Sequence, residues 1–237
     1  MTDLAGRIGV LTRSALIDRV ERDHRQSDAA FHRRRIVVGL VLVLGAALLG
    51  VSLAVEPGDT SFYPLTAALA ATWVLGGLAS GPLHLGRTPF RGALRRPVAT
   101  PVLVGLAAGA VFVAGALVVR QLPPLRDYTE SVLAHARFAS LPLILLVTLA
   151  NGAAEEVFFR GALFAAIGQR LPVLVSTVVY AVATLATGNP MLVFAAATLG
   201  IVLGLQRRAS GGILGSILTH LTWSSVMLVV LPPLFAR

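Results

Sequence analysis

Residues 149–164 read Leu149-Ala-Asn-Gly-Ala-Ala-Glu-Glu-Val-Phe-Phe-Arg-Gly-Ala-Leu-Phe164. Two adjacent carboxylates, Glu155 and Glu156, and a guanidinium, Arg160, stand in a segment that is otherwise apolar. Whether that segment lies in water or in hydrocarbon decides both the fold and the meaning of the charges. The chain has 237 residues, of which 56% are hydrophobic and only 13% charged. Such a composition belongs to a polytopic membrane protein and excludes an ordinary soluble domain. An apolar run of about 17–25 residues crosses a bilayer as a helix. Seven runs approach that length, at 36–55, 62–85, 98–119, 139–167, 172–187, 191–206 and 211–231. The expected fold is therefore an all-α bundle of about seven transmembrane helices. The fourth run is long and holds the charges, which predicts a tilt or a break near Gly152. Gly188-Asn189-Pro190 reads as a tight turn between the fifth and sixth runs.

All 20 basic residues are arginine, cysteine is absent, and the net charge is +9. Disulfides and thiolate metal sites are excluded. The arginines flank apolar runs, so the basic balance points to membrane orientation and not to nucleic acid. With the N-terminus inside, 16 arginines fall in the inner segments and 4 in the outer ones, which selects N-in and C-out for seven crossings. All-arginine usage with Ala, Val, Gly and Leu richness suits a multi-pass protein of a bacterial plasma membrane. Residues 1–35 lack a signal-peptide pattern. Leu4, Ile8, Leu11, Leu16 and Val20 recur there at roughly helical spacing among arginines. That pattern reads either as an interfacial helix on an anionic leaflet or as a basic tail. The chain thus divides into a cytoplasmic Arg-rich segment at 1–35, membrane helices at 36–137 and a core at 138–237 that holds the chemistry. No internal repeat is visible.

Helical spacing separates the two acids. Glu156 and Arg160 are four residues apart with the acid first, the favourable order for a pair on one face. Glu155 is rotated about 100° from Glu156 and is poorly placed for that arginine. Glu155 is then the freer carboxylate, able to take a proton from water. Asn151, one turn before Glu155, is placed to orient it. Two later runs add polar groups: Tyr180 and Thr184 in the fifth, His220 and Ser224 in the seventh. Glu155, Thr184 and His220 each lie on the order of 10–13 residues from the inner surface, or roughly 15–20 Å deep. Three helices thus bring polar groups to one level. His84 and His135 fall near run ends and read as interfacial. Trp73, Trp223, Gly200 with Gly204, and Gly211 with Gly215 read as helix packing.

Glu155-Glu156-x-x-x-Arg160, the Tyr180-x-x-x-Thr184 helix, the stretch from Gly200 to Gly204 and the His220-x-x-x-Ser224 helix resemble the CAAX-protease and bacteriocin-processing (CPBP, or Abi) family. The likeness covers roughly residues 140–230 and includes the type 2 CAAX prenyl endopeptidases. The resemblance implies an intramembrane endopeptidase acting on a membrane-embedded or lipidated peptide, prenylated substrates included, near the inner leaflet. It implies that Glu155 activates water, that Glu156 and Arg160 shape the site, and that His220 polarises the scissile carbonyl. A metal is not required by this reading. A divalent ion such as zinc, if held, would take Glu155, Glu156 and His220. The chain departs from the family pattern where Thr184 stands for a histidine and Ser224 for an asparagine. Losing one oxyanion donor costs on the order of 10²–10³ in rate.

Two other functions compete. One is a catalytically weakened homologue that binds a membrane peptide or partner without cutting it, motivated by Thr184. The other is a small transporter, because buried carboxylates also carry protons; the absence of an inverted repeat speaks against it. Glu155, Glu156 and Arg160 also admit a purely structural reading as an ion-pair cluster locking helices together. Thr184 and Ser224 admit one as packing hydroxyls.

Overall fold

The computed structural model describes residues 12–236 together with Gly6 and Gly9, and leaves out Arg22, Asp23, Arg91 and Ala139. Leu4, Ile8, Leu11 and Arg237 therefore lie outside the described residues. Eight helices form the described chain: α1 (Asp28–Ala54), α2 (Phe62–Ala79), α3 (Ala99–Val119), α4 (Pro123–Arg137), α5 (Leu141–Ile167), α6 (Pro172–Thr187), α7 (Pro190–Ser210) and α8 (Leu214–Leu234). Six of these are long and apolar enough to cross a membrane, and α6 is a shorter apolar helix beside them. The protein is an integral, multi-pass helical bundle of about seven spans, as the apolar runs predict.

Local chemistry sets the ends of the helices. Ser27 caps α1 by accepting from the Ala30 N–H, and Asn189 caps α7 by accepting from Met191 and Leu192. Proline occupies the first turn of α4, α5, α6 and α7, where its missing N–H costs no helical hydrogen bond. The neighbours α3 and α8 share the most extensive contact, followed by α6 with α7 and α2 with α5. Small residues let them approach: a Cβ at Gly105 would meet the Thr219 carbonyl at 2.8 Å, and one at Gly204 would meet Val173 at 3.0 Å. The aromatic heart of the bundle is Trp73 of α2 against Phe158 and Phe159 of α5, all three at most 1% exposed.

Several expected boundaries differ. The second run ends at Ala79, not at 85, because Pro82 cannot continue the helix and Gly81 takes a φ of +137°. Residues 80–87 instead form an irregular strip that hydrogen bonds the turn before α8, through Ile213 N–H to His84 C=O and Leu214 N–H to Leu85 C=O. A short hairpin, β1 (Thr88–Phe90) with β2 (Ala93–Arg95), follows it. Gly211 belongs to this turn with a φ of +73°, ending α7, and is not a packing glycine of a helix face. Helix α4, too short to span, went unread in the sequence; it lies across the end of the bundle opposite this arginine-rich strip. At the other end of the chain order, Arg13–Ile17 form one π turn and Val20 N–H bonds Ala209 C=O, so this part of the N-terminal segment lies on the arginine-rich end.

Arg34 of α1 ties that end together, donating to the Pro82 carbonyl at 3.1 Å and to Gln26. His84 stacks on His24 with ring centroids 3.7 Å apart. Burial first, then Arg207 and Arg34, holds His84 below the ordinary histidine range. The tightest backbone crossing is Gly86 against Gly212, where a Cβ on Gly86 would lie 2.6 Å from the Gly212 nitrogen and φ is +83°. Gly86→Ala is expected to lower stability by roughly 1–3 kcal/mol, the usual cost of such strain. Thermal unfolding in detergent measures it, and an unchanged midpoint would mean that the crossing relaxes freely.

Candidate functional site

The fourth predicted span does change its winding, but not at Gly152. α5 runs as an α-helix through Glu156 and then as a π-helical stretch over Val157–Leu163. Such wide turns redirect backbone groups and recur at functional sites. One result is visible directly: the Arg160 carbonyl accepts from Nε of the buried Arg207 at 2.6 Å. Gly152 remains helical, and its lack of a side chain makes room for an imidazole. A Cβ there would sit 3.5 Å from Cδ2 and 3.6 Å from Nε2 of His220.

Glu156 is completely buried, and its Oε1 takes two partners. Arg160 Nη1 donates to it at 3.0 Å from one turn along α5. His220 Nδ1 of α8 lies 2.9 Å from the same oxygen. With the carboxylate as acceptor, Nδ1 carries the proton and Nε2 faces away from Glu156, beside Gly152. Arg160 also lies over the Tyr180 ring, 4.6 Å from its centroid, a cation–π contact in a dry setting. The predicted Glu156–Arg160 pair is thus present, and His220 joins it.

Glu155 points elsewhere. Tyr180 of α6 donates to its Oε2 at 2.5 Å, and Glu155 is only half-buried, whereas Glu156 is sealed. Glu155 and Asn151 reach the floor of a cavity of about 560 Å³, whose walls also include Thr148, Thr198, Trp223 and Ser224. The structure brings Glu155, Glu156, Arg160, Tyr180 and His220 into one connected group. It does not place Asn151 as expected: its Nδ2 donates back to the Val147 carbonyl of its own helix, and no hydrogen bond joins it to Glu155. Thr184 likewise donates to the Tyr180 carbonyl one turn earlier at 2.8 Å, and it is absent from the cavity wall. Ser224 lines the cavity on α8. His135 does more than sit at an interface. It lines the cavity and donates from Nε2 to the Val55 carbonyl at 3.0 Å.

A zinc centre does not fit the donor set. Among the described residues no three His, Cys, Asp or Glu side chains converge on one point. The Glu156 oxygen nearest His220 is already engaged by a cation, and Thr184 offers no imidazole. Zinc sites call for three protein ligands of that kind.

Removing Arg160 would leave the Glu156 charge buried without its cation. Arg160→Ala is expected to cost about 3–5 kcal/mol, read as a drop in unfolding temperature of the purified protein. The double change Glu156→Gln with Arg160→Gln is expected to cost less than the single one. The opposite ranking would show that the pair is not what the arginine stabilises.

Comparison with known proteins agrees with the likeness carried by these helices. Residues 137–226 match the family model described as Type II CAAX prenyl endopeptidase Rce1-like. The match begins at the end of α4 and takes in α5, α6, α7 and the first half of α8, so it contains every residue of the group above. It suggests protease activity within the membrane. No curated protein and no solved structure matches the chain.

Proposed function

We propose that the protein is an intramembrane endopeptidase that hydrolyses a peptide bond of a membrane-anchored substrate with Glu155 as the base. The observation that carries this reading is the division of labour between two adjacent carboxylates. Glu156 is sealed in a dry interior with its Oε1 shared by Arg160 and His220, while Glu155 looks into a cavity with one oxygen held by Tyr180. A base needs a free lone pair facing the reacting water, and Glu155 Oε1 is the atom left for it.

In this mechanism the Tyr180 hydroxyl fixes the Glu155 carboxyl plane. Water between Glu155 and the substrate carbonyl gives its proton to Glu155 as it attacks. In this step His220 acts as the imidazolium: Nδ1–H donates to Glu156 and Nε2–H donates to the developing oxyanion. Glu155 then returns the proton to the leaving amine. Arg160 bonds the same Glu156 oxygen, which fixes the carboxylate that orients the imidazole. The apolar cavity suits a lipid or an apolar side chain beside the scissile bond.

Purified protein in lipid is expected to cleave a membrane-anchored peptide, with Glu155→Gln slower by about 10²–10⁴, the usual worth of a general base. His220→Ala is expected to be slowed as well, and Tyr180→Phe less so. Both Glu155→Gln and the parent should elute identically from a sizing column. Unimpaired cleavage by folded Glu155→Gln would sink the assignment.

A second reading rests on Thr184. Its hydroxyl is used within its own helix, so the position that the family fills with histidine contributes nothing to the cavity. A homologue of this kind would bind membrane peptides without cutting them. Under that reading the parent is inert towards every anchored peptide, and Thr184→His gains cleavage. Activity in the unmodified protein decides against it.

A further inference from the structure

We infer that the site is reached only from the arginine-poor end of the bundle, and that its substrate is an exported peptide whose apolar anchor sits in that leaflet and passes beneath α4. This rests on Glu155 as the reacting carboxylate and goes beyond it by naming the leaflet and the roof.

The cavity is one-sided. Its lining begins at Leu49 on α1, Val111 on α3 and Trp223 on α8, and it stops at Leu69 on α2, Glu155 on α5 and Thr198 on α7. Leu49 lies in the last third of α1, the other limits fall near the middle of their helices, and everything beyond them lies towards the end that carries α4. Glu155 is the floor. Beneath it the bundle is solid: Trp73, Phe158, Phe159 and Arg160 are each at most 1% exposed. Further down, backbone hydrogen bonds close the remaining seams, from Val20 to Ala209 and from Arg87 N–H to Ser210. A substrate arriving at the arginine-rich end would have to break those seams and part an aromatic cluster.

The other end has a built cover. α4 contributes Thr129, Leu133, His135 and Ala136 to the cavity wall. Three side-chain hydrogen bonds hold it down: Asn189 Nδ2 to the Tyr128 carbonyl at 2.7 Å and to Ser131 Oγ at 3.2 Å, and His135 to Val55. Just outside, a polar notch formed by Arg120, Arg126 and Glu130 shares Phe235 with the cavity. The sequence of surfaces is therefore polar rim, apolar wall, polar floor. It fits an apolar chain that lies along the wall and delivers an amide to Glu155.

Among the described residues twelve arginines fall in the segments at the opposite end and three, Arg120, Arg126 and Arg137, at the α4 end, a bias that assigns the α4 end to the extracytoplasmic face. A lipidated C-terminus made on the cytoplasmic face would meet the closed end. A peptide already exported and still anchored would meet the open one.

The chain has no cysteine, so single cysteines report access without background. Thr198→Cys and Ala136→Cys place a thiol on the cavity wall, Arg120→Cys marks the arginine-poor surface and Gln169→Cys marks the arginine-rich end, where Gln169 is exposed. A membrane-impermeant maleimide is applied to intact cells and, separately, to inverted vesicles. The expected result is modification of Thr198→Cys and Ala136→Cys in intact cells together with Arg120→Cys, and loss of that modification in inverted vesicles, where only Gln169→Cys reacts. A peptide bearing a dodecanoyl chain, added to intact cells, is expected to protect Thr198→Cys; the same peptide without the chain is not. Wall cysteines reacting only alongside Gln169→Cys would overturn the inference. Wall cysteines unreactive from both faces in a protein that still cleaves through Glu155 would overturn it too, with the proposed activity intact. Reaction from the α4 face in a protein that cleaves nothing supports the access route and refutes the activity.

Discussion

One oxygen of Glu156, shared between Arg160 and His220, is the interaction on which the rest of this bundle turns. A carboxylate with no exposure has no water to stabilise it, so its charge must be met by protein or not exist. Arg160 meets it from the same helix and His220 from α8, which joins two elements far apart in sequence. The costs of burial explain the company these groups keep. The arginine lies over Tyr180, and a Cβ at Gly200 would come within 3.3 Å of its Nη2, so the α7 backbone closes the other side. Such a cluster is weak as a source of net stability but strong as a constraint, because removing any one partner strands the others.

That constraint fixes the second carboxylate by elimination. Adjacent residues on a helix point about 100° apart, so once Glu156 faces the dry interior, Glu155 must face a different environment. Here it faces the cavity and Tyr180. The Glu-Glu doublet is thus one element with two surroundings, and the polarity of the site follows from helical geometry alone. The π-helical stretch that begins at Val157 adds to this by freeing the Arg160 carbonyl for Arg207, which ties the cluster to the arginine-rich end.

The spans, the Glu156–Arg160 pair and the different facing of Glu155 were legible in the sequence, because apolar run length and the 3.6-residue period carry that information. Thr184 and Asn151 each turn back to their own helix for one common reason, Thr184 as the packing reading of its hydroxyl expects and Asn151 without the hydrogen bond to Glu155 expected of it. Depth and face can be computed along a helix, but a short polar side chain in an apolar setting turns back to a carbonyl of its own helix unless a partner is within reach. Whether a partner is within reach depends on tertiary packing. Gly152 was misread similarly: a mid-span glycine signals either a break or a close approach, and only the position of His220 on α8 decides for the latter. Helix α4 was passed over because its fifteen residues are too few to span and its charges mask its apolar face. Pro123 and the recurrence of Leu125, Val132, Leu133 and Ala136 were the available signals.

The two ends of the bundle are held by different physics, and the difference allows a hollow half to exist. In a bilayer, helices gain little by hiding apolar surface from one another, since lipid is as apolar as leucine; close packing and hydrogen bonds hold them together. Those contacts are concentrated at the arginine-rich end, in the Arg34 and Arg207 hydrogen bonds and the Gly86–Gly212 crossing. At the α4 end the helices part around an apolar space. In a soluble protein such a space would be penalised by lost burial in the surrounding core. Between membrane helices it can be filled by an apolar chain with dispersion contacts like those of lipid. A rigid half that holds the charged cluster can therefore support an open half that admits a guest, and Glu155 lies at the boundary between them.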